Sequence, residues 1–84
     1  MFKVWTKDKE AWTVRTYNDA IDACWRECYH KIEELRAEEV LTDKQARFEV
    51  RKLNQWFKEL KQEPSKADNF MIDNEIYAYL MEVE

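Results

Sequence analysis

There is no glycine in this 84-residue chain. Glycine enters the left-handed backbone region without steric cost and lets the main chain approach a ligand closely. Phosphate-cradling loops, dinucleotide-binding turns and nucleophile elbows are built around it, so those chemistries are excluded. The chain also has a single proline. It must consist almost wholly of strands, helices and tight polar turns.

Length sets the next limit. A chain this short predicts one domain over residues 1–84, which buries only ~60 to 65% of the surface its unfolded form exposes. Its core must come from large side chains, and four Trp, four Tyr and four Phe supply them at roughly 150 to 250 Å² each. The 38% of charged residues implies a heavily charged surface around that core. A net charge of −4 argues against a general polyanion binder, which is normally basic overall. The longest apolar run, Ile76 to Met81, is far short of the ~20 residues of a membrane span, and no charged segment leads into an apolar one. A soluble, cytoplasmic protein in a reducing compartment, without membrane association, is the expectation.

The hydrophobic period changes along the chain. Phe2, Val4 and Thr6 alternate with their neighbours, as do Trp12, Val14 and Thr16, and the charged Lys7–Glu10 lies between the two runs. This predicts a β-hairpin. Thr16 with Asp19 resembles a capping box, and apolar residues then recur at Ile21, Trp25, Cys28, Ile32 and Leu35, predicting a helix over Asn18–Glu39. Thr42 with Gln45 is a second capping signal. Ala46, Val50, Leu53, Phe57 and Leu60 follow it, predicting a helix over Asp43–Gln62 that stops at Glu63-Pro64. The linker between the helices is short enough to require an antiparallel hairpin.

After the polar stretch Ser65–Asn69, a short strand is plausible at Phe70–Ile72. Residues Ile76–Val83 fit either a helix capped by Asp73 or a strand apolar on both faces. The strand is favoured because an isolated two-stranded hairpin is marginal in water and needs a further strand. The expected fold class is α+β: a small antiparallel sheet, made of the N-terminal hairpin and the C-terminal strand, packed on an antiparallel helical hairpin in the order ββααβ(β).

No constellation points to catalysis, a metal or a cofactor. His30 is the single histidine, and it lies about 200° around the helix from Cys28 at 3.6 residues per turn, so thiol and imidazole cannot converge. Cys24 and Cys28 are expected to be reduced and partly buried. Glu33, Glu34, Glu38 and Glu39 read as a solvated acidic face, since catalytic carboxylates need a pocket that perturbs them.

Charge is segmented instead. Lys44, Arg47, Arg51, Asn54, Lys58 and Lys61 step by three and four residues and form one basic ridge on the second helix, whereas the first helix and the C-terminal stretch are acidic. Adjacent antiparallel helices commonly exchange flanking charges, which favours pairing of the ridge with the first helix. The competing arrangement turns the ridge outward toward an acidic protein or toward phosphate.

Trp5, Phe48 and Trp56 fall off the core stripes, and aromatics in such places mark binding surfaces. A two-faced apolar C-terminal strand at a sheet edge would add a site for β-pairing with a second chain. Together these features lead to an expected non-catalytic protein-binding module whose partner-binding candidates are Trp5, Phe48, Trp56, Lys44, Arg47, Arg51, Lys58, Glu34 and Glu38. A homodimer is compatible with the same surfaces. Small acidic proteins of this kind are common among phage and mobile-element inhibitors of host enzymes that handle nucleic acid, in which acidic surfaces substitute for phosphate. The alternative is a nucleic-acid binder using the basic ridge, with Asn54 and Trp56 nearby for base contacts.

Overall fold

The structure, a computed structural model, describes residues 1–83. Its elements are β1 (Phe2–Thr6), β2 (Lys9–Val14), α1 (Tyr17–Ala37), α2 (Asp43–Gln62), β3 (Ala67–Ile72) and β4 (Glu75–Glu82). This is the expected α+β order. The strand anticipated at Phe70–Ile72 begins three residues earlier, and the ambiguous C-terminal stretch is a strand.

Both helices begin at the threonines that announce them. Thr16 Oγ1 accepts from the Asp19 amide at 3.1 Å. At Thr42 the box is reciprocal, because the Gln45 amide donates to Thr42 Oγ1 at 3.1 Å while the Thr42 amide donates to Gln45 Oε1 at 2.8 Å. The end of α1 is a Schellman motif: the Glu39 amide donates to Arg36 O at 3.1 Å and the Val40 amide to Leu35 O at 2.9 Å. That motif needs a left-handed residue after the cap, and Glu39 takes it with φ 62°.

The sheet is antiparallel throughout, in the order β2-β1-β4-β3. Pairing of β1 with β4 supplies the third strand that the N-terminal hairpin requires. It also corrects the expectation that the C-terminal strand lies at an edge: β4 is bonded on both sides and has no free edge to offer a second chain. Its apolar character on both faces follows from this central position. The β3–β4 loop is Asp73-Asn74, flanked by the Ile72↔Glu75 pair, with φ 52° and 67°. Positive φ at both central residues marks a type I′ turn, usually Asn-Gly or Asp-Gly. In this chain it is made without glycine.

Alternation along the strands sends Val4, Thr6, Ala78, Leu80, Phe70 and Ile72 to one face, where all are buried. Both helices pack on that side. α1 touches all four strands, while α2 lies beside α1 and reaches only β3. The sheet-facing side of α1 is small, with Ala20, Cys24 and Cys28 alongside Ile21 and Ile32, and all of these are fully buried. Trp25 and Leu35, expected on the same stripe, are half-buried at its edges. On α2 the buried side is Ala46, Glu49, Leu53 and Leu60. Val50 and Phe57, expected on the same stripe, are half-buried at its edges and pack against the two hydrophobic clusters, and Glu49 is held by Lys52 Nζ at 3.0 Å.

Trp56 is corrected in the same way. It packs against both hydrophobic clusters, its ring lies 5.4 Å from that of Phe70, and its indole N–H points at Asp68 Oδ1 at 3.4 Å. Trp56 is half-buried and joins α2 to the sheet.

The β1–β2 turn is tied to the rest of the molecule through Asp8. Its Oδ2 meets Lys31 Nζ at 3.0 Å and accepts from the Tyr77 hydroxyl at 3.1 Å. The Lys31 bond holds Asp8 below its ordinary 3.8, and burial followed by the Asp8 bond pushes the Tyr77 phenol up. A depressed carboxylate stabilises the fold above its ordinary pKa, and that contribution is lost as pH falls through the lowered value. Asp8 is half exposed, so the contribution is at most ~1 kcal/mol. Asp8→Asn is expected to lower the urea midpoint at pH 6 and to leave a smaller further drop between pH 5 and 3 than the parent shows. Glu39→Gly is expected to raise stability by about 1 kcal/mol, because a non-glycine residue in the left-handed region costs roughly that much. Asn74→Gly should gain less, since asparagine tolerates that region. Urea midpoints at unchanged m-value check both.

Candidate interaction surfaces

Two surfaces remain outside the core. The first is the sheet face opposite the helices, formed by the register pairs Trp5↔Tyr79, Lys3↔Thr13, Lys3↔Met81, Asn69↔Tyr79, Ala67↔Met81 and Met71↔Ile76. No element covers it. An antiparallel sheet with one solvated face normally places polar residues there, but the centre of this face is aromatic and aliphatic. Trp5 and Tyr79 stack with ring centroids 5.3 Å apart and planes at 22°. Met71, Ile76 and Met81 are 41%, 49% and 40% exposed. The paired positions include one cation, Lys3, and no anion. Among the described residues, neither the Trp5 indole N–H nor the Tyr79 hydroxyl has a side-chain hydrogen bond within the protein. They are free for an acceptor brought by a partner.

The second surface is the outer side of the helical hairpin. Lys44, Arg47, Arg51, Lys58 and Lys61 are all exposed on it. Pairing of this ridge with α1, favoured by the sequence, does not occur: among the described residues none of the five lies within ion-pair distance of a carboxylate. Three of the acids of α1 are engaged elsewhere. Glu27 pairs with Lys9, Glu34 with Lys31 at 3.7 Å and Glu33 with Arg36 at 2.8 Å. The contact between the helices is made by apolar residues, by an ion pair of Arg36 with Asp43 and by Trp25, whose indole N–H donates to Asn54 Oδ1 at 2.9 Å. This bond occupies the acceptor of Asn54 and weakens its candidacy for base contacts.

Beside the ridge runs a groove of about 580 Å³ lined by Tyr29, Ala46 and Val50, with Glu33, Arg36, Asp43, Arg47 and Arg51 around it. Arg36 bridges the helices between Glu33 and Asp43, the latter at 3.6 Å. Both acids of the groove are thereby occupied. Arg47 and Arg51 keep free guanidinium groups.

The nine candidates therefore do not form one site. Lys44, Arg47, Arg51 and Lys58 share the ridge, and Trp5 lies on the far side of the molecule. Phe48 is 58% exposed under Lys52. Glu34 and Glu38 sit at the C-terminal end of α1, where Glu38 is the cap residue. Sequence reasoning missed Tyr79, Met81, Met71 and Tyr29. The cross-strand partner of Trp5 was the signal for Tyr79, but it is visible only once β1 is paired with β4.

The thiols face inward, and His30 is exposed on the same helix. Burial pushes Cys24 up to about 12 and raises Cys28 as well. No group of three potential metal-ligating side chains occurs among the described residues, and no helix is long and apolar enough to cross a membrane. Thiolate is the reactive form, so both cysteines are expected to resist a chromogenic disulfide reagent at pH 8 in the folded protein. Two equivalents should react on addition of denaturant, and rapid native labelling would contradict this burial. Compared with family models, curated proteins and solved structures, the chain matches none.

Proposed function

We propose that the protein is a non-catalytic binding module whose primary contact with a protein partner is the uncovered sheet face. The single observation that carries this reading is the apolar centre of that face, Trp5, Tyr79, Met71, Ile76 and Met81, in a chain that is elsewhere heavily charged. Tryptophan and tyrosine are the residues most enriched at interface hot spots. Here they are rigid, stacked on each other, and free to donate hydrogen bonds.

The size of the face bears on the kind of partner. Four strands ~4.8 Å apart and about six residues long at ~3.4 Å give a footprint of roughly 19 Å by 20 Å. Even with side-chain relief, this is below the ~800 Å² per side of a stable specific complex. A self-complementary dimer ending at the sheet edges would be weak, so a different protein whose surface continues past those edges fits better. The narrower reading, an inhibitor whose acids stand in for phosphates, draws less support, because Glu27, Glu33 and Glu34 are already paired with bases of this chain.

A photo-reactive phenylalanine analogue placed at Met81 or Met71 in the native host is expected to trap one defined protein. The same analogue at exposed Val40 should not trap it. Tyr79→Asp should weaken the purified complex at least ~10-fold with an unchanged circular dichroism spectrum. Equal trapping from all three positions, or none, would refute the assignment.

A further inference from the structure

We propose that the groove between α1 and α2 is a second docking site, and that its occupant is an acidic amphipathic helix of a partner protein, gripped by Arg47 and Arg51. The proposal stands on charge and shape in the helical layer and does not depend on the sheet face. In a protein of net charge −4, the described residues of the ridge hold five exposed cations without an intramolecular ion pair. Leaving like charges side by side along one helix is unfavourable for the isolated protein. A ligand of opposite charge removes that cost.

The geometry selects among anionic ligands. Arg47 and Arg51 are one helical turn apart, about 6 Å along the axis, which matches two carboxylates at positions i and i+4 of a facing helix. A guanidinium can hold each carboxylate through two parallel hydrogen bonds. Between the arginines and α1 the floor is Tyr29, Ala46 and Val50, an apolar strip contributed by both helices. An amphipathic helix fills such a strip with the apolar residues that flank its acids.

A phosphate backbone would satisfy the arginines but offers nothing apolar to the floor. It would also meet Glu33 on the α1 wall and Asp43 one turn before Arg47 on α2. Both are neutralised by Arg36, which leaves no free cation on the α1 wall of the groove for a continuous polyanion. The stack of Trp25 on Tyr29, with centroids 5.1 Å apart and planes at 7°, and the Trp25–Asn54 bond hold the Tyr29 end of the floor from the side. The floor is therefore preformed.

The test uses a displayed library of helical peptides with randomised surface positions, selected on the full chain alone, and the winners are then measured on the variants. The expected winners carry Asp or Glu at i and i+4 with apolar residues on the same face. Their affinity should fall at least tenfold in Arg47→Gln or Arg51→Gln and in Val50→Ser, and should be unchanged in Tyr79→Asp. In solution, amide shifts on addition of a winning peptide should centre on Tyr29, Ala46 and Val50. Winners without the acidic pair, or winners indifferent to Arg47 and Arg51, would overturn the proposal. So would poly-glutamate binding as tightly as the selected helices, or a random single-stranded oligonucleotide binding more tightly at physiological salt. Because Tyr79→Asp separates the two faces, loss of the groove ligand leaves the sheet-face reading intact, and the converse also holds.

Discussion

One helix covers the whole sheet, and the other features of the molecule depend on that contact. α1 lies across all four strands with Ala20, Cys24 and Cys28 facing them, so its axis can approach closely while Ile21 and Ile32 fill the space on either side. With α1 seated centrally, α2 has only the flank left, where it packs on α1 and reaches β3. Trp56 then closes the gap between α2 and the sheet by touching both hydrophobic clusters. None of the described residues forms an element over the second face of the sheet.

The same arrangement decides where the charges go. A helix lying on a sheet presents its flanks to the strand ends, and two charges of α1 find partners there: Lys31 reaches the β1–β2 turn at Asp8 and Glu27 reaches Lys9. α2, set to one side, presents its basic face to solvent. The uneven pairing is thus geometric in origin. It converts a weakly acidic protein into one with a locally basic side, and such segregation shapes which partners approach and in what orientation.

Without glycine, the positions that need left-handed backbone fall to Glu39, Asp73 and Asn74. Two of the three are residue types that tolerate this region, and the third sits in a helix-ending motif whose hydrogen bonds outweigh its strain. The turns are consequently short and made from polar side chains. The proposed binding surfaces lie on the faces of strands and helices, which hold side chains more precisely than loops do.

The local chemistry of this chain was legible in its sequence because it depends on neighbours within a few residues. Thr42 and Gln45 begin α2 through a reciprocal pair of bonds, Pro64 stops it, and the alternation of Phe2, Val4 and Thr6 places a strand with a defined inner face. The basic ridge was legible for the same reason, since helical spacing alone aligns Arg47 with Arg51. What needed the tertiary structure were the relations between segments distant in sequence. Pairing of β1 with β4 put the C-terminal strand at the centre of the sheet and brought Tyr79 against Trp5. The lateral seat of α2 left Arg47 and Arg51 unpaired, and the bond to Asp68 turned Trp56 inward. Periodicity specifies which face of an element is apolar, but what that face meets is decided by strand order and helix placement, and these are set by the packing of the whole chain at once.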